Sequence, residues 1–269
     1  MKYIERKGVR TYYTEHKGEK IDVLFIHGWL HNHTVWAPIE KKIREEGYGT
    51  VCVDLRGHGR SDKPKDEKSY RISEFVLDIK KIISQRKKPV ILVGHSMGGM
   101  IILSLMKKPS KHIHGIVLVN TTYENPANKS TINTFFALQP ILEHAIKYLE
   151  KKPDFFTQED INFQKHTSRN LIIQAYEGLK NSRMKSIFSS LYQIIQYNEK
   201  DVLETIQVPT LIIGAKKDKL TAVEFSQTMH EKIPHSTLYI LHKASHNSHL
   251  EEPQTIYTQL NEYLKKTAT

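Results

Sequence analysis

The stretch PVILVGHSMGGMIIL, Pro89 to Leu103, is an apolar run broken by Gly94, His95 and Ser96 and by two further glycines before it resumes. The β-branched lead-in VILV suits a buried strand, and MIILSLM suits a buried helix. Between them, G-x-S-x-G sets Ser96 on a sharp strand-to-helix turn. Such a turn forces the serine into a strained backbone conformation, tolerable only where neighbours such as Gly94 and Gly98 lack bulky side chains. The bend lifts the hydroxyl clear of a sheet, and the helix N-terminus behind it favours developing negative charge. Ser96 is the candidate nucleophile.

Outward from this turn the same design recurs. IDVLFIHGW (Ile21 to Trp29), TVCVDLRGHG (Thr50 to Gly59), GIVLVN (115–120), TLIIGAKKD (210–218) and STLYILHKASH (236–246) are apolar, β-branched runs ending in polar or glycine-rich turns. Continuous hydrophobic strands of this kind belong in a parallel sheet covered on both faces. In ISEFVLDIKKIISQ, Ile72, Phe75, Val76, Ile79, Ile82 and Ile83 share one helical face. Residues 222–233 and 253–266 read as further helices, the second with Pro253 well placed at its start. Tyr-rich segments either side of Gly8 suggest an edge hairpin. Strand alternating with helix implies right-handed crossovers and an α/β, doubly wound, mostly parallel sheet. Residues 123–208 break the rhythm, with helical, aromatic-rich sequence (Phe135, Phe136, Phe155, Phe156, Phe163, Tyr176, Phe188, Tyr192) and no convincing strand. The expected organisation is a core from 1–122 and 209–269, with a helical cap inserted at 123–208. Its aromatics either pack the insert onto the sheet or line a pocket.

Composition narrows the function classes. With 39% apolar and 26% charged residues, the 269-residue chain reads as globular. No apolar run is long enough to span a bilayer. MKYIERKGVRTYY lacks a signal-peptide core, and the single Cys52 excludes an intrachain disulfide, so a cytoplasmic location is expected. The net charge of +11 comes from scattered lysine pairs without a nucleic-acid signature. It reads as a solvated basic surface with at most a weak preference for anionic substrates. Neither nucleic acid nor membrane is an expected partner.

A serine hydroxyl needs a base, and the base needs an orienting acid. The strand at 236–242 runs into KASHNSHLEEP, offering His246 and His249. LIIGAKKDKLT places Asp218 at the end of the preceding strand. The chain order Ser, Asp, His is the order this architecture requires. Glu124, just past the strand at 115–120, is an alternative acid.

At this point the chain resembles the α/β-hydrolase superfamily over nearly its whole length. The resemblance rests on His27-Gly28-Trp29, DLRGHGRSD (Asp54 to Asp62), GHSMGG, Gly214 to Asp218, and His246 with Glu251 and Pro253 at the family's offsets. Those offsets select His246 and leave His249 as a loop residue. The resemblance implies catalytic Ser96, Asp218 and His246, and an oxyanion hole from the backbone N–H groups of Trp29 and Met97, supported by His27 and Gly28. Asp54, Arg56 and His58 brace the loop, and Cys52 is a buried thiol. Two departures concern loop geometry: Ser245 where the family often has Gly, and Ala222 where it often has Pro.

The function this implies is hydrolysis of carboxylic esters of small or medium apolar acyl or aryl groups through an acyl-enzyme, without a cofactor. C–C bond hydrolysis and cofactor-free perhydrolysis use the same constellation, and HGWLHNHTVW resembles a stretch of cofactor-free haloperoxidases. A ligand-sensing receptor with slow turnover is a further alternative. Two histidine trios, His27, His31, His33 and His242, His246, His249, raise a metal site. Neither has a metalloenzyme ligand pattern, so no metal is expected.

Overall fold

The computed structural model describes residues 2–129 and 183–267. A hairpin opens the chain, β1 (Lys2–Arg6) and β2 (Val9–His16), turned through Lys7 and Gly8 at positive φ. Then follow β3 (Asp22–Ile26), α1 (Ala37–Glu45), β4 (Gly49–Val53), α2 (Ile72–Ser84), β5 (Val90–His95), α3 (Met97–Met106) and β6 (Ile113–Val119). Beyond residue 182 come α4 (Met184–Ile195), β7 (Thr210–Ala215), α5 (Val223–Lys232), β8 (Ser236–Leu241) and α6 (Pro253–Thr267).

Among the described residues these strands form one eight-stranded sheet in the order β1-β2-β4-β3-β5-β6-β7-β8. Only β1 and β2 run antiparallel to their neighbours, so the hairpin sits at an edge, as its Tyr-rich sequence suggests. The other pairings are parallel. The chain moves from β3 outward to β4 and then returns across β3 to β5. Loops leaving adjacent strands at such a reversal diverge and open a crevice at the strands' C-terminal ends. The register pairs Ile26 with Gly94 and His95 with Val119, so β3, β5 and β6 end at the same level. Everything attached to those ends meets there.

The pleat explains the two cores. Leu24, Ile26, Leu92, Leu118 and Ile212 point to one face, under α2, α3 and α5. Val23, Phe25, Ile91, Val93 and Val119 point to the other, under α1 and α6. Burying each such side chain stabilises the fold by about 1.5–3 kcal/mol. β8 differs from expectation: its residues are half-exposed or exposed apart from Leu241. It closes the sheet's other edge, so it lacks the cover the inner strands have. TVCVDLRGHG likewise stops being strand at Val53 and continues as a tight loop. Cys52 is a free buried thiol on β4, and burial pushes its ionisation well up.

Of the segment 123–208, residues 130–182 lie outside the described residues, and with them Phe135, Phe136, Phe155, Phe156, Phe163 and Tyr176. Within the described remainder are a turn at Pro126–Asn128, α4, and a 3-10 helix at Lys200–Thr205. An isolated bridge joins Glu124 to Asn198.

Candidate active site

Ser96 links β5 directly to α3 with φ 51 and ψ −119, a conformation side chains rarely adopt. Such strain costs about 1–3 kcal/mol and persists only where the surroundings over-determine it. They do so here. The Ser96 amide donates to the Val119 carbonyl at 3.0 Å, and its carbonyl accepts from the amides of Gly99 and Met100 and from the Thr121 hydroxyl at 2.7 Å. Gly98 passes so close to β3 that an added Cβ would lie 2.3 Å from the Ile26 carbonyl oxygen. At Gly94 a Cβ would collide with the Gly98 backbone at 2.6 Å. The two flanking glycines are therefore what lets the strand, the turn and the helix share this space.

The bent backbone carries the Ser96 hydroxyl to 3.0 Å from Nε2 of His246. On the ring's other side, Nδ1 of His246 lies 2.9 Å from Oδ2 of Asp218. Asp218 follows β7, and His246 follows β8. Their strands end beside each other through the Ala215–Leu241 pairing, which brings together groups far apart in sequence. Glu124 is not in this arrangement: its carboxylate accepts from Asn128 at 2.9 Å.

The Asp218 carboxylate is held by more than the histidine. The amides of Leu220 and Thr221 donate to Oδ1 at 2.8 and 2.9 Å. The Thr221 hydroxyl and the Asn120 amide donate to Oδ2 at 2.7 and 2.8 Å. Burial alone would push this carboxyl up; the charge of His246 and these donated hydrogen bonds outweigh it and hold the group at about 2. Asn120 itself adopts a positive φ of 43, and its Oδ1 accepts from Ser248 at 2.6 Å. Asn120, Thr221 and Ser248 are absent from the expected site. Only the position of Asn120 at the end of GIVLVN signals a role: the contacts of Asn120 and Ser248 exist solely after β6, β7 and the 246–251 segment assemble, and Thr221 bonds Asp218 within the local turn after β7.

Met97 follows Ser96 at the start of α3, and Trp29 lies three residues past the end of β3. As the first residue of α3, Met97 has an amide with no intrahelical acceptor. The loop carrying Trp29 is pinned by His27. The Leu55 amide donates to its Nε2 at 3.0 Å, so its Nδ1 carries the proton and donates to the Gly28 carbonyl at 2.7 Å. Complete burial keeps this ring neutral. At Gly28 a Cβ would lie 2.7 Å from His95 Nδ1 and 3.1 Å from the Ser96 Cβ, so a side chain there would press on the serine. The Trp29 indole is half-buried and donates to the Ile187 carbonyl of α4 at 3.2 Å. It packs there with Phe188, Leu191 and Ile195.

Asp54, Arg56 and His58 are buried and brace the loop after β4. Asp54 accepts from the amides of His33 and Arg60, Arg56 makes a two-point pair with Asp78 at 2.7 Å, and His58 packs edge-on against His27. The Ser245 departure also has a partner. Its amide and hydroxyl both donate to Glu251, tying the residue before His246 to the Glu of the terminal motif.

The sequence trios of histidines do not survive folding. His27 turns to Leu55 in the loop after β4, His33 to Asp54, and His242 to solvent. His249 is not a loop residue: it sits fully buried on a helical turn, Ser248–Glu251, 4.1 Å centroid to centroid from His95 and 5.6 Å from His31.

Comparison with known proteins agrees with this architecture. Residues 23–253 match the model of the alpha/beta hydrolase fold family. The putative 2-succinyl-6-hydroxy-2,4-cyclohexadiene-1-carboxylate synthase of Bacillus subtilis is 27% identical, over 90% of this chain and 89% of its own. AB hydrolase superfamily protein YisY of the same organism is 23% identical, over 97% and 98%. Among solved structures, an esterase from Exiguobacterium antarcticum superposes with a TM-score of 0.79 at 25% identity, covering 98% of both chains. Among the described residues, no helix is long and apolar enough to cross a membrane. The match across most of the chain, together with the sheet order and the bent serine turn, makes this protein a member of the α/β-hydrolase family, a family of hydrolases.

Proposed function

We propose that the chain is a serine hydrolase of carboxylic esters with small to medium apolar acyl or aryl groups. One observation carries the reading: a serine hydroxyl 3.0 Å from an imidazole whose far nitrogen meets a buried carboxylate at 2.9 Å. Ser96 Oγ attacks the acyl carbon while His246 Nε2 takes its proton. The carbonyl oxygen becomes an oxyanion, received by the amides of Trp29 and Met97; losing one such donor costs roughly 3 kcal/mol of transition-state stabilisation. His246 returns the proton to the leaving alkoxide, and the alcohol departs. Water, deprotonated by His246, then attacks the acyl-serine and releases the acid. Asp218 fixes the ring's tautomer and stabilises the imidazolium without itself taking a proton. The cycle uses only groups of this chain and water.

The apolar acyl preference is supported by the cluster of Trp29, Phe188, Leu191 and Ile195, in which Trp29 directly follows the Gly28 that packs on Ser96. In this reading helix α4, which receives the Trp29 indole, belongs to a cap over the site. The name of the Exiguobacterium antarcticum relative supports ester chemistry. A second reading follows the Bacillus subtilis relative at 27% identity, whose name gives a cyclohexadiene carboxylate as the product: the same three side chains would form such a carboxylate from its precursor. Fold alone does not choose between them.

The test is a panel of p-nitrophenyl esters and lactones, together with a precursor whose conversion to a cyclohexadiene carboxylate is followed by diene absorbance, assayed on wild type and Ser96→Ala. Ester turnover should fall by about 10⁴-fold or more in the variant with its circular dichroism unchanged. Ester turnover persisting in Ser96→Ala defeats the assignment. Formation of the cyclohexadiene carboxylate without ester turnover, lost in the variant, selects the second reading.

A further inference from the structure

Behind the serine turn lies a group of side chains that the hydrolytic cycle does not use. His31 from the loop after β3, His95 at the end of β5 and His249 are all buried, and one ring nitrogen from each lies within 4.8 Å of the others. His95 Nε2 is 2.9 Å from the His246 backbone carbonyl. A carbonyl only accepts, so Nε2 carries the proton and Nδ1 presents a lone pair. Among the described residues that Nδ1 has no hydrogen-bond partner, and neither does either nitrogen of His249. Buried polar atoms in folded proteins are nearly always satisfied, and an unsatisfied one calls for a missing ligand, water or ion. Burial, first of all, disfavours the charged form of all three rings, with His31 lowered to about 3. Neutral imidazole is the form that binds metal.

We propose that His31, His95 and His249 form a binding site for an imidazole-preferring divalent transition ion of the zinc type, and that its occupancy restrains His246. The donor set is all imidazole, which suits Zn²⁺, Ni²⁺ or Cu²⁺ over Mg²⁺ or Ca²⁺. The hydrogen bond from His95 Nε2–H to a backbone carbonyl is the partner that orients a metal-bound histidine and raises its basicity. A tetrahedral ion with bonds of about 2.0–2.1 Å holds its ligand nitrogens roughly 3.3 Å apart, so the trio must contract around it. His95 is anchored at the end of β5. The movement therefore falls on the loop of His31 and on the turn of His249, and that turn begins directly after His246 and Asn247. The same ion draws on the His95 ring bonded to the His246 carbonyl. Contraction thus disturbs the 3.0 Å contact between His246 and Ser96 from behind, and zinc acts as a reversible inhibitor. The inhibition rests on the hydrolytic reading above; the binding does not.

The experiment uses chelator-treated, desalted protein titrated with ZnCl₂ against a chromophoric zinc indicator, with Co²⁺ as a spectroscopic substitute. One tight equivalent per chain is expected, with the visible absorption of four-coordinate cobalt. That equivalent should disappear in both His249→Phe and His31→Gln and remain in His246→Ala. In wild type, filling it should lower ester turnover by about 10²-fold, the scale of an ångström's misplacement, and EDTA should restore the rate. In the two site variants the zinc-free and zinc-treated rates should agree. Absence of a tight equivalent overturns the site, as does one that survives both substitutions or depends on His246. Zinc bound as expected with the ester rate unchanged overturns the restraint on His246. Protein that binds zinc but hydrolyses no ester in either state retires the hydrolytic reading while leaving the site standing.

Discussion

Two polar clusters adjoin His246, and they are built on opposite terms. On the Nδ1 side, Asp218 accepts from Leu220, Thr221, Asn120 and His246, so that both carboxylate oxygens are occupied. Behind the ring, His95 and His249 bury nitrogens with nothing to meet them among the described residues. A fully bonded buried network rigidifies its members, whereas a half-bonded one costs stability at every unmatched atom. The carboxylate cluster is tuned to hold one charge in place. The histidine cluster excludes charge and leaves ring nitrogens unmatched among the described residues.

The largest expected difference between them is in acid. Burial lowers the pKa values of His27, His31, His58, His95 and His249 in the folded chain, to about 3 for His31 and about 4 for His58. Below the unfolded value of 6.5 the unfolded chain therefore binds protons that the folded chain refuses, and stability falls as pH falls. Five such groups give a slope of up to about 7 kcal/mol per pH unit, enough to unfold a domain of ordinary stability within two units. Asp218 acts in a different window. Its folded value of about 2 lies below the ordinary 3.8, so its contribution is complete above pH 3.8 and is lost only on the way down to 2. Urea midpoints of metal-free protein measured from pH 8 to 5 should drop steeply below 6.5. A flat profile down to pH 4.5 would mean that the rings are not buried neutral.

Next comes Asp218→Asn, which keeps the shape and removes the charge. The ester kcat should fall by about 10⁴-fold, because an amide no longer holds His246 in the tautomer that accepts the serine proton. A loss under tenfold would remove Asp218 from the cycle. The smallest effects come from a matched pair read by thermal unfolding without metal. Thr221→Val strips a hydroxyl from a satisfied carboxylate and should cost about 1–3 kcal/mol. His249→Phe replaces two unmatched nitrogens by a ring of similar shape against Trp36, 4.9 Å away, and should be neutral or stabilising within about 1 kcal/mol. Equal losses from both would erase the contrast between the clusters.

Much of this molecule is legible in its sequence, and the reason is local. The serine turn announces itself because strain at Ser96 demands glycine at Gly94 and Gly98 within four residues of chain. Parallel strands announce themselves by apolar runs. Asp218 and His246 are found from chain order, since each ends a strand on the same edge of the sheet. What escapes is whatever depends on neighbours across the sheet. Ser248 looks like an ordinary loop residue until β6 and the 246–251 segment bring it onto Asn120, whereas Thr221 bonds Asp218 within a local turn that no apolar run or glycine marks. The half-exposed β8 reads like an inner strand because edge position leaves no mark in an apolar run. Histidines close in sequence suggest trios, but β3 and the loop after it send His27, His31 and His33 in three directions.

The indole of Trp29 is bonded to the Ile187 carbonyl, while its neighbour Gly28 packs against Ser96. Under the proposed ester hydrolysis, a change in α4 that admits a bulkier acid would also shift the residue whose amide is proposed to receive the oxyanion. Selectivity and speed would then be geared through one residue, and libraries built along 184–195 should yield variants that trade one for the other.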